Sequence, residues 1–328
     1  MIDLHLHFDG SLLPRTVMEL AQEQNIALPA SDPDELKLFL CAPSDCGSLN
    51  EYLEKFDLPL LVLQTKEAVR KAMYVLTSSL KEQGLLYAEI RFAPQLHTKK
   101  GMTQEETVKA AIQGMQEALA GSFFKAKLIL CCMRGADNRE ENLLTVRTAA
   151  AFLGRGVAAV DLAGAEALFP TEDFAEVFAL AKELGVPYTI HAGEADGPES
   201  IRAALRMGAS RIGHGVRACE DEELMEVLCE RQIPLEMCPS SNVQTKAVPS
   251  FEEHPVLDYL RRGLLVTVNT DNMTVSDTTE EREYRLLSQR LGMTKEEHKK
   301  LLLNAADAAF LTAEERWRIK DVISRVFV

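Results

Sequence analysis

Eight short apolar runs recur along the 328-residue chain, with helical stretches between them. The runs at 2–7, 86–92, 126–132, 157–162, 188–191, 211–214, 235–238 and 264–269 are rich in β-branched or apolar residues and read as strands. Several helices between them announce their starts. Thr103 stands three residues before Glu106, Thr294 before Glu297 and Thr312 before Glu315. In this Ser/Thr-x-x-Glu spacing the two side chains satisfy the first free amides of a helix. Asp32-Pro33 puts a capping side chain before a proline at the first helical position. Alternating strands and helices call for a parallel sheet, because parallel neighbours need a long crossover between them. At this length the fold expected is a closed (β/α)8 TIM barrel, with an open doubly wound sheet as the second choice. Residues 31–65, long and helical, are expected to form a lid over the barrel mouth. No repeat and no Pro/Gly/Ser-rich linker divides the chain, so residues 1–328 read as one domain.

Polar signatures close four of the strand candidates. His5 and His7 alternate in the first, so both imidazoles face one side, which in a barrel is the interior. His191-Ala192-Gly193-Glu194 closes the fifth, Gly213-His214-Gly215 the sixth and Asn269-Thr270-Asp271-Asn272 the last. Any one of these is weak: a strand-end His is usually a satisfied polar group, and a lone Asp after a strand is usually a helix cap. Together they bring nitrogen and oxygen donors to the strand ends where a barrel assembles its site. Such a donor set with an open position suits catalytic zinc better than iron, cobalt or manganese.

Composition excludes several classes. Lys and Arg number 36 against 50 Asp and Glu, a net charge of −14, which disfavours nucleic acid and anionic membrane as partners. No apolar run approaches the ~20 residues of a membrane-spanning helix, and Asp3, His5 and His7 interrupt any leader-like core. The seven cysteines match no zinc-ribbon spacing and fit reduced thiols, so a cytoplasmic protein is expected.

The combined motifs resemble the adenosine deaminase family of metal-dependent hydrolases over nearly the whole chain. They are His5-Leu6-His7-Phe8-Asp9-Gly10-Ser11, Asp161-Leu162-Ala163-Gly164, His191-Ala192-Gly193-Glu194, Arg211-Ile212-Gly213-His214-Gly215, Cys238-Pro239-Ser240-Ser241-Asn242 and Asn269-Thr270-Asp271. The resemblance implies a (β/α)8 barrel with one Zn2+ per chain held by His5, His7, His191 and Asp271. It implies catalysis by Glu194, His214 and Asp271. Glu194 is similar to the proton donor to purine N1, His214 holds or deprotonates the attacking water, and Asp271 also hydrogen-bonds it. The implied reaction converts adenosine or 2′-deoxyadenosine to the inosine analogue and ammonia. A carboxylic acid does such work near neutral pH only if burial raises its pKa. His7, Asp9, Gly164 and Asn272 are the implied substrate contacts, with Asp9 facing the ribose 5′-hydroxyl and the Gly164 amide facing purine N3. A carboxylate at position 9 accepts a bond from a hydroxyl and repels a 5′-phosphate.

One departure is plain. The family usually has a second Asp where this chain has Asn272, facing purine N7. N7 is an acceptor, so an Asp must be protonated to donate to it, whereas an amide donates without that proton. Lesser expectations are Glu236 orienting an imidazole, Ser240 bonding Asp271, Arg91 as a structural ion-pair partner, and Leu49, Tyr52, Leu53 and Phe56 as one apolar helix face. By resemblance that face closes over the sugar. Cys238 reads as a core thiol, and His97, His254 and His298 read as surface or turn residues. The alternatives are the same chemistry on adenine, aminodeoxyfutalosine or a methylated adenine nucleotide, or a non-catalytic purine-binding relative. A two-metal hydrolase is disfavoured because no Lys closes the fourth strand. The small cytidine-type deaminase is excluded because His-x-Glu and Pro-Cys-x-x-Cys are missing.

Overall fold

The computed structural model describes residues 1–43 and 46–327. Among the described residues eight strands form: β1 (Ile2–His7), β2 (Tyr87–Phe92), β3 (Lys125–Met133), β4 (Val157–Ala163), β5 (Thr189–Ala192), β6 (Arg211–His214), β7 (Leu235–Met237) and β8 (Val266–Val268). Each pairs in parallel with the next, in the order β1-β2-β3-β4 and β5-β6-β7-β8. Two parallel bridges join these halves, Val160 with Tyr188 and Leu6 with Asp271. At the second, His7 N–H donates to Asp271 O at 2.7 Å and Asp271 N–H donates to His5 O at 2.8 Å. The sheet therefore closes into the expected (β/α)8 barrel. The seam between first and last strands fixes Asp271 beside the two histidines of β1.

The alternation in β1 shows why this sequence makes such a strand. Leu4 and Leu6 join the hydrophobic cluster with the surrounding helices, each contributing roughly 1.5–3 kcal/mol by burial. Asp3, His5 and His7 point the other way. His5 and Asp3 are wholly buried and tied to distant parts of the barrel: His5 Nδ1 meets Glu236 on β7, and Asp3 accepts from Thr270 just after the last strand. The three capping boxes at Thr103, Thr294 and Thr312 form, and Asp32 accepts from Glu35 N–H at 2.9 Å.

Between β1 and β2 lie short helices at Pro33–Leu40, Leu49–Leu53 and Asp57–Val62. Ser44 and Asp45, inside the stretch read as a lid, lie outside the described residues. No helix among the described residues is long and apolar enough to cross a membrane.

Candidate active site

Four nitrogen or oxygen donors, one each from His5, His191, His214 and Asp271, lie within 4.8 Å of one another at the C-terminal ends of the strands. His7 joins them: its Nε2 lies 3.3 Å from His191 Nε2 and 3.4 Å from Asp271 Oδ1. β5 and β6 hold His191 level with Gly213. A side chain at 213 would crowd this group, since a Cβ there would stand 3.2 Å from the His5 ring. His214 and Asp271 both have φ of 59°, a left-handed backbone that non-glycine residues avoid. Such outliers cluster where function requires them.

A buried chain of charges aims the rings. His5 Nδ1 lies 2.8 Å from Glu236 Oε2, and His191 Nδ1 lies 2.9 Å from Asp161 Oδ2. Arg91 bridges the two carboxylates, 2.8 Å from Glu236 and 3.1 Å from Asp161. Arg211 completes the chain between Glu236 and Glu89, at 2.6 Å from each. The structural ion pairing expected of Arg91 and the ring-orienting contact expected of Glu236 are both present. Burial alone would raise the Asp161 carboxyl, but His191 and Arg91 pull it far below the usual range.

Asp271 receives a further bond, from Ser241 Oγ at 2.6 Å. This corrects the expectation for Ser240, whose backbone N–H instead donates to Glu283 at 3.1 Å. The helix Pro239–Gln244 starts here, and one step along a helix turns a side chain by about 100°. His97 and His254 are also corrected, since both are buried. His97 Nδ1 lies 3.0 Å from Leu63 O, and His254 Nε2 lies 3.1 Å from Asn242 Oδ1.

The cluster suits a metal ion. His5 Nε2 is buried and has no hydrogen-bond partner, although its Nδ1 is held by Glu236. An imidazole fixed at one nitrogen by a carboxylate, with its other nitrogen bare, is the usual arrangement of a metal-ligating histidine. Burial pushes His7 and His214 well below the ordinary imidazole value, and lowers His191 too. Neutral rings of this kind can donate a lone pair.

His7, His191, His214 and Asp271 open onto a cavity of about 820 Å³, counting its mouth. Glu194 lines it, buried, with Oε1 unpartnered and Oε2 3.4 Å from His214 Nε2. Burial, then the nearby Asp271 and Glu166 charges, push its carboxyl well above the usual range. This environment favours the protonated form of the acid. Asp9 and Gly164 also line the cavity, and burial pushes Asp9 up to about 7. Asn272 presses against Gly10 so closely that a Cβ on Gly10 would lie 1.9 Å from its Oδ1. Leu49, Tyr52, Leu53 and Phe56 also line the cavity, and Tyr52 OH meets Ser276 Oγ at 2.7 Å.

The family profile named adenosine deaminase matches residues 1–326. The chain belongs to the adenosine deaminase family. An adenosine deaminase of Haemophilus ducreyi is 53% identical over 320 residues, spanning 96% of this chain and 93% of that protein. Among solved structures, the adenine deaminase of Arthrobacter aurescens superposes with a TM-score of 0.88 at 27% identity, covering 99% of this chain and 98% of the other. The Arabidopsis N6-methyl-AMP deaminase gives 0.85 at 25% identity, covering 99% and 97%.

Sequence reasoning also missed Glu166. It is buried two residues after Gly164 and accepts from four consecutive amides. Gly193 N–H lies 2.7 Å from Oε1, and those of Glu194, Ala195 and Asp196 lie 3.0, 2.7 and 3.0 Å from Oε2. Ser200 Oγ adds a fifth bond at 2.6 Å. One carboxylate thus shapes the turn that presents Glu194.

Proposed function

We propose that this chain hydrolyses adenosine and 2′-deoxyadenosine to the corresponding inosines and ammonia, using one Zn2+ held by His5, His7, His191 and Asp271. The observation that carries the reading is Glu194: a buried carboxyl, raised in pKa, on the same cavity wall as a histidine–aspartate cluster. Three imidazoles and one carboxylate suit zinc among the common divalent ions. When bound, such an ion supplies a water acidic enough to react near pH ~7.

The chain's own residues do the rest. Glu194 gives its proton to purine N1, which drains electrons from C6. General acid help of this kind is worth ~10²–10⁴-fold. His214 and Asp271 hold the water that adds to C6. The C6–N6 bond then breaks; one proton of the water leaves with the amine as ammonia, the other restores the Glu194 carboxyl, and the C6 oxygen remains as the inosine carbonyl. His7 lies against the substrate, Asp9 accepts from the 5′-hydroxyl, the Gly164 amide meets N3, and Asn272 donates to N7. The stripe from Leu49 to Phe56 covers the sugar as a lid. The unpartnered Asp9 oxygen supports a nucleoside over a 5′-phosphate, and the 53% identical relative supports adenosine over adenine.

The test is a side-by-side assay of zinc-loaded protein on adenosine, 2′-deoxyadenosine, adenine and AMP, with Glu194→Gln as control. Turnover of the two nucleosides, and a control that keeps zinc but loses the rate, is the expected result. Turnover of adenine or AMP alone would overturn the roles given to Asp9 and to the sugar.

A further inference from the structure

The rings around the cluster differ in what holds their far nitrogen. Behind His5 and His191 stand carboxylates, which only accept, so each Nδ1 carries a proton, and in the neutral ring that binds a metal each Nε2 is left as a lone pair. Behind His214 stands an amide: Asn242 Nδ2 lies 3.0 Å from His214 Nδ1. The direction of that bond is set by two backbone donors. Cys238 N–H donates to Asn242 Oδ1 at 3.3 Å, which identifies the oxygen and turns the NH2 toward His214. Val256 N–H donates to His254 Nδ1 at 3.3 Å, so His254 carries its proton on Nε2 and gives it to the same Asn242 oxygen, 3.1 Å away. His254 is buried, which pushes it down to about 3 and keeps it neutral. Each link has one possible polarity, and the chain ends on an unprotonated His214 Nδ1.

We propose that Asn242 and His254 are positioning residues that lock His214 in the Nε2–H tautomer, so that its cavity-facing nitrogen acts as a hydrogen-bond donor and not as a metal ligand. Two consequences follow at the site. His214 Nε2, 3.4 Å from Glu194 Oε2, holds an oxygen by donating to it. Metal ligation falls to the rings whose Nε2 is bare, although His214 lies within the same 4.8 Å group. His254 works through two intervening bonds, from a loop outside the cavity.

The catalytic consequence rests on the deaminase reading, but the tautomer does not, so two measurements separate them. The first is the ¹⁵N spectrum of histidine-labelled, zinc-loaded wild-type protein, with His214 assigned by its loss in His214→Gln. A protonated Nε2 and a bare Nδ1 are expected, and the opposite pattern overturns the lock whatever the enzyme's substrate. The second is kinetics. Asn242→Asp replaces the donor by an acceptor of the same shape and so reverses the tautomer. A wrongly protonated catalytic imidazole costs up to ~10⁴-fold in kcat. Asn242→Asp is expected to lose at least ~100-fold in kcat with KM within about threefold and zinc retained. His254→Phe, which removes one link, should lose about tenfold, and His254→Gln, whose amide can still donate, should recover most of it. An Asn242→Asp enzyme within about threefold of wild-type kcat overturns the proposal. Should that variant fail to fold, the wild-type spectrum and the His254 pair still decide. Wild-type protein inactive on adenosine would count against the deaminase reading alone.

Discussion

Glu166→Gln removes one charge and one acceptor oxygen from a place where five donors converge. The single glutamine oxygen can face the amides of Glu194, Ala195 and Asp196, as Oε2 does now. The new NH2 then faces Ser200 Oγ and the Gly193 N–H, each under 3 Å from the present Oε1, at 2.6 and 2.7 Å. Ser200 can rotate and accept. Gly193 N–H cannot, so one buried donor is orphaned at a cost of roughly 1–3 kcal/mol. The three remaining bonds drop from charge-assisted to neutral strength, about half. The combined loss is about 3–5 kcal/mol, a large share of a typical stability of about 5–15 kcal/mol. At about 2.1 cal/mol/K per residue over a chain of this length, a fall in Tm of about 4–7 °C is expected. Gly193 must also back away from the new NH2, and Glu194 follows it in the chain. A displacement near 1 Å costs up to ~10²-fold in rate, so kcat should fall by about 10–100-fold. Zinc content should hold, because His191 is aimed by Asp161 from the other side. Thermal unfolding, steady-state kinetics on adenosine and metal analysis of one preparation suffice. Unchanged Tm and kcat would refute the claim that this carboxylate shapes the turn. Loss of zinc in parallel with rate would refute its assignment to Glu194.

Asn272→Asp should make kcat/KM for adenosine fall as pH rises above the new carboxyl's pKa, while wild type stays flat there, because only the amide donates to N7 without a titrating proton. A pH profile checks this. Ser241→Ala removes the 2.6 Å bond to Asp271 and should weaken zinc binding about 10–100-fold, read by competition with a chelator. Burial pushes Glu283 up to about 7 from an ordinary 4.5. The folded chain holds that proton more tightly than the unfolded one, so stability is full below about 4.5 and is lost as pH rises through about 7. The gap is worth up to about 3 kcal/mol. Glu283→Gln should therefore exceed wild type in urea at pH ~8 and converge with it near pH ~4.5.

The barrel was legible because its signals are local and periodic. β1 and β6 fall on the expected residues, and the capping boxes at Thr103, Thr294 and Thr312 need only their own three-residue spacing. The last strand is shorter than its apolar run, Val266–Val268 within 264–269, because the chain turns at Thr270 to make the seam with β1. At the site, the strand-end histidines and Asp271 were readable because barrel geometry brings strand ends together whatever lies between them. Glu166 was not, since its partners are backbone amides 27–30 residues away and no pattern of side chains marks them. Ser241 was missed by one position, which only the start of the helix at Pro239 decides. His254 sits in a loop between elements, where hydrophobic periodicity says nothing about burial.

The most direct test of metal-dependent deamination is to strip the protein with a chelator and add zinc back stepwise, following adenosine loss by ultraviolet absorbance. The expected result is an inactive apoprotein whose rate climbs linearly to one equivalent of zinc and then stops, with Glu194→Gln binding the same equivalent and gaining no rate. An apoprotein that keeps its full rate, or a Glu194→Gln protein that recovers it, would contradict the roles assigned to the histidine–aspartate cluster and to Glu194.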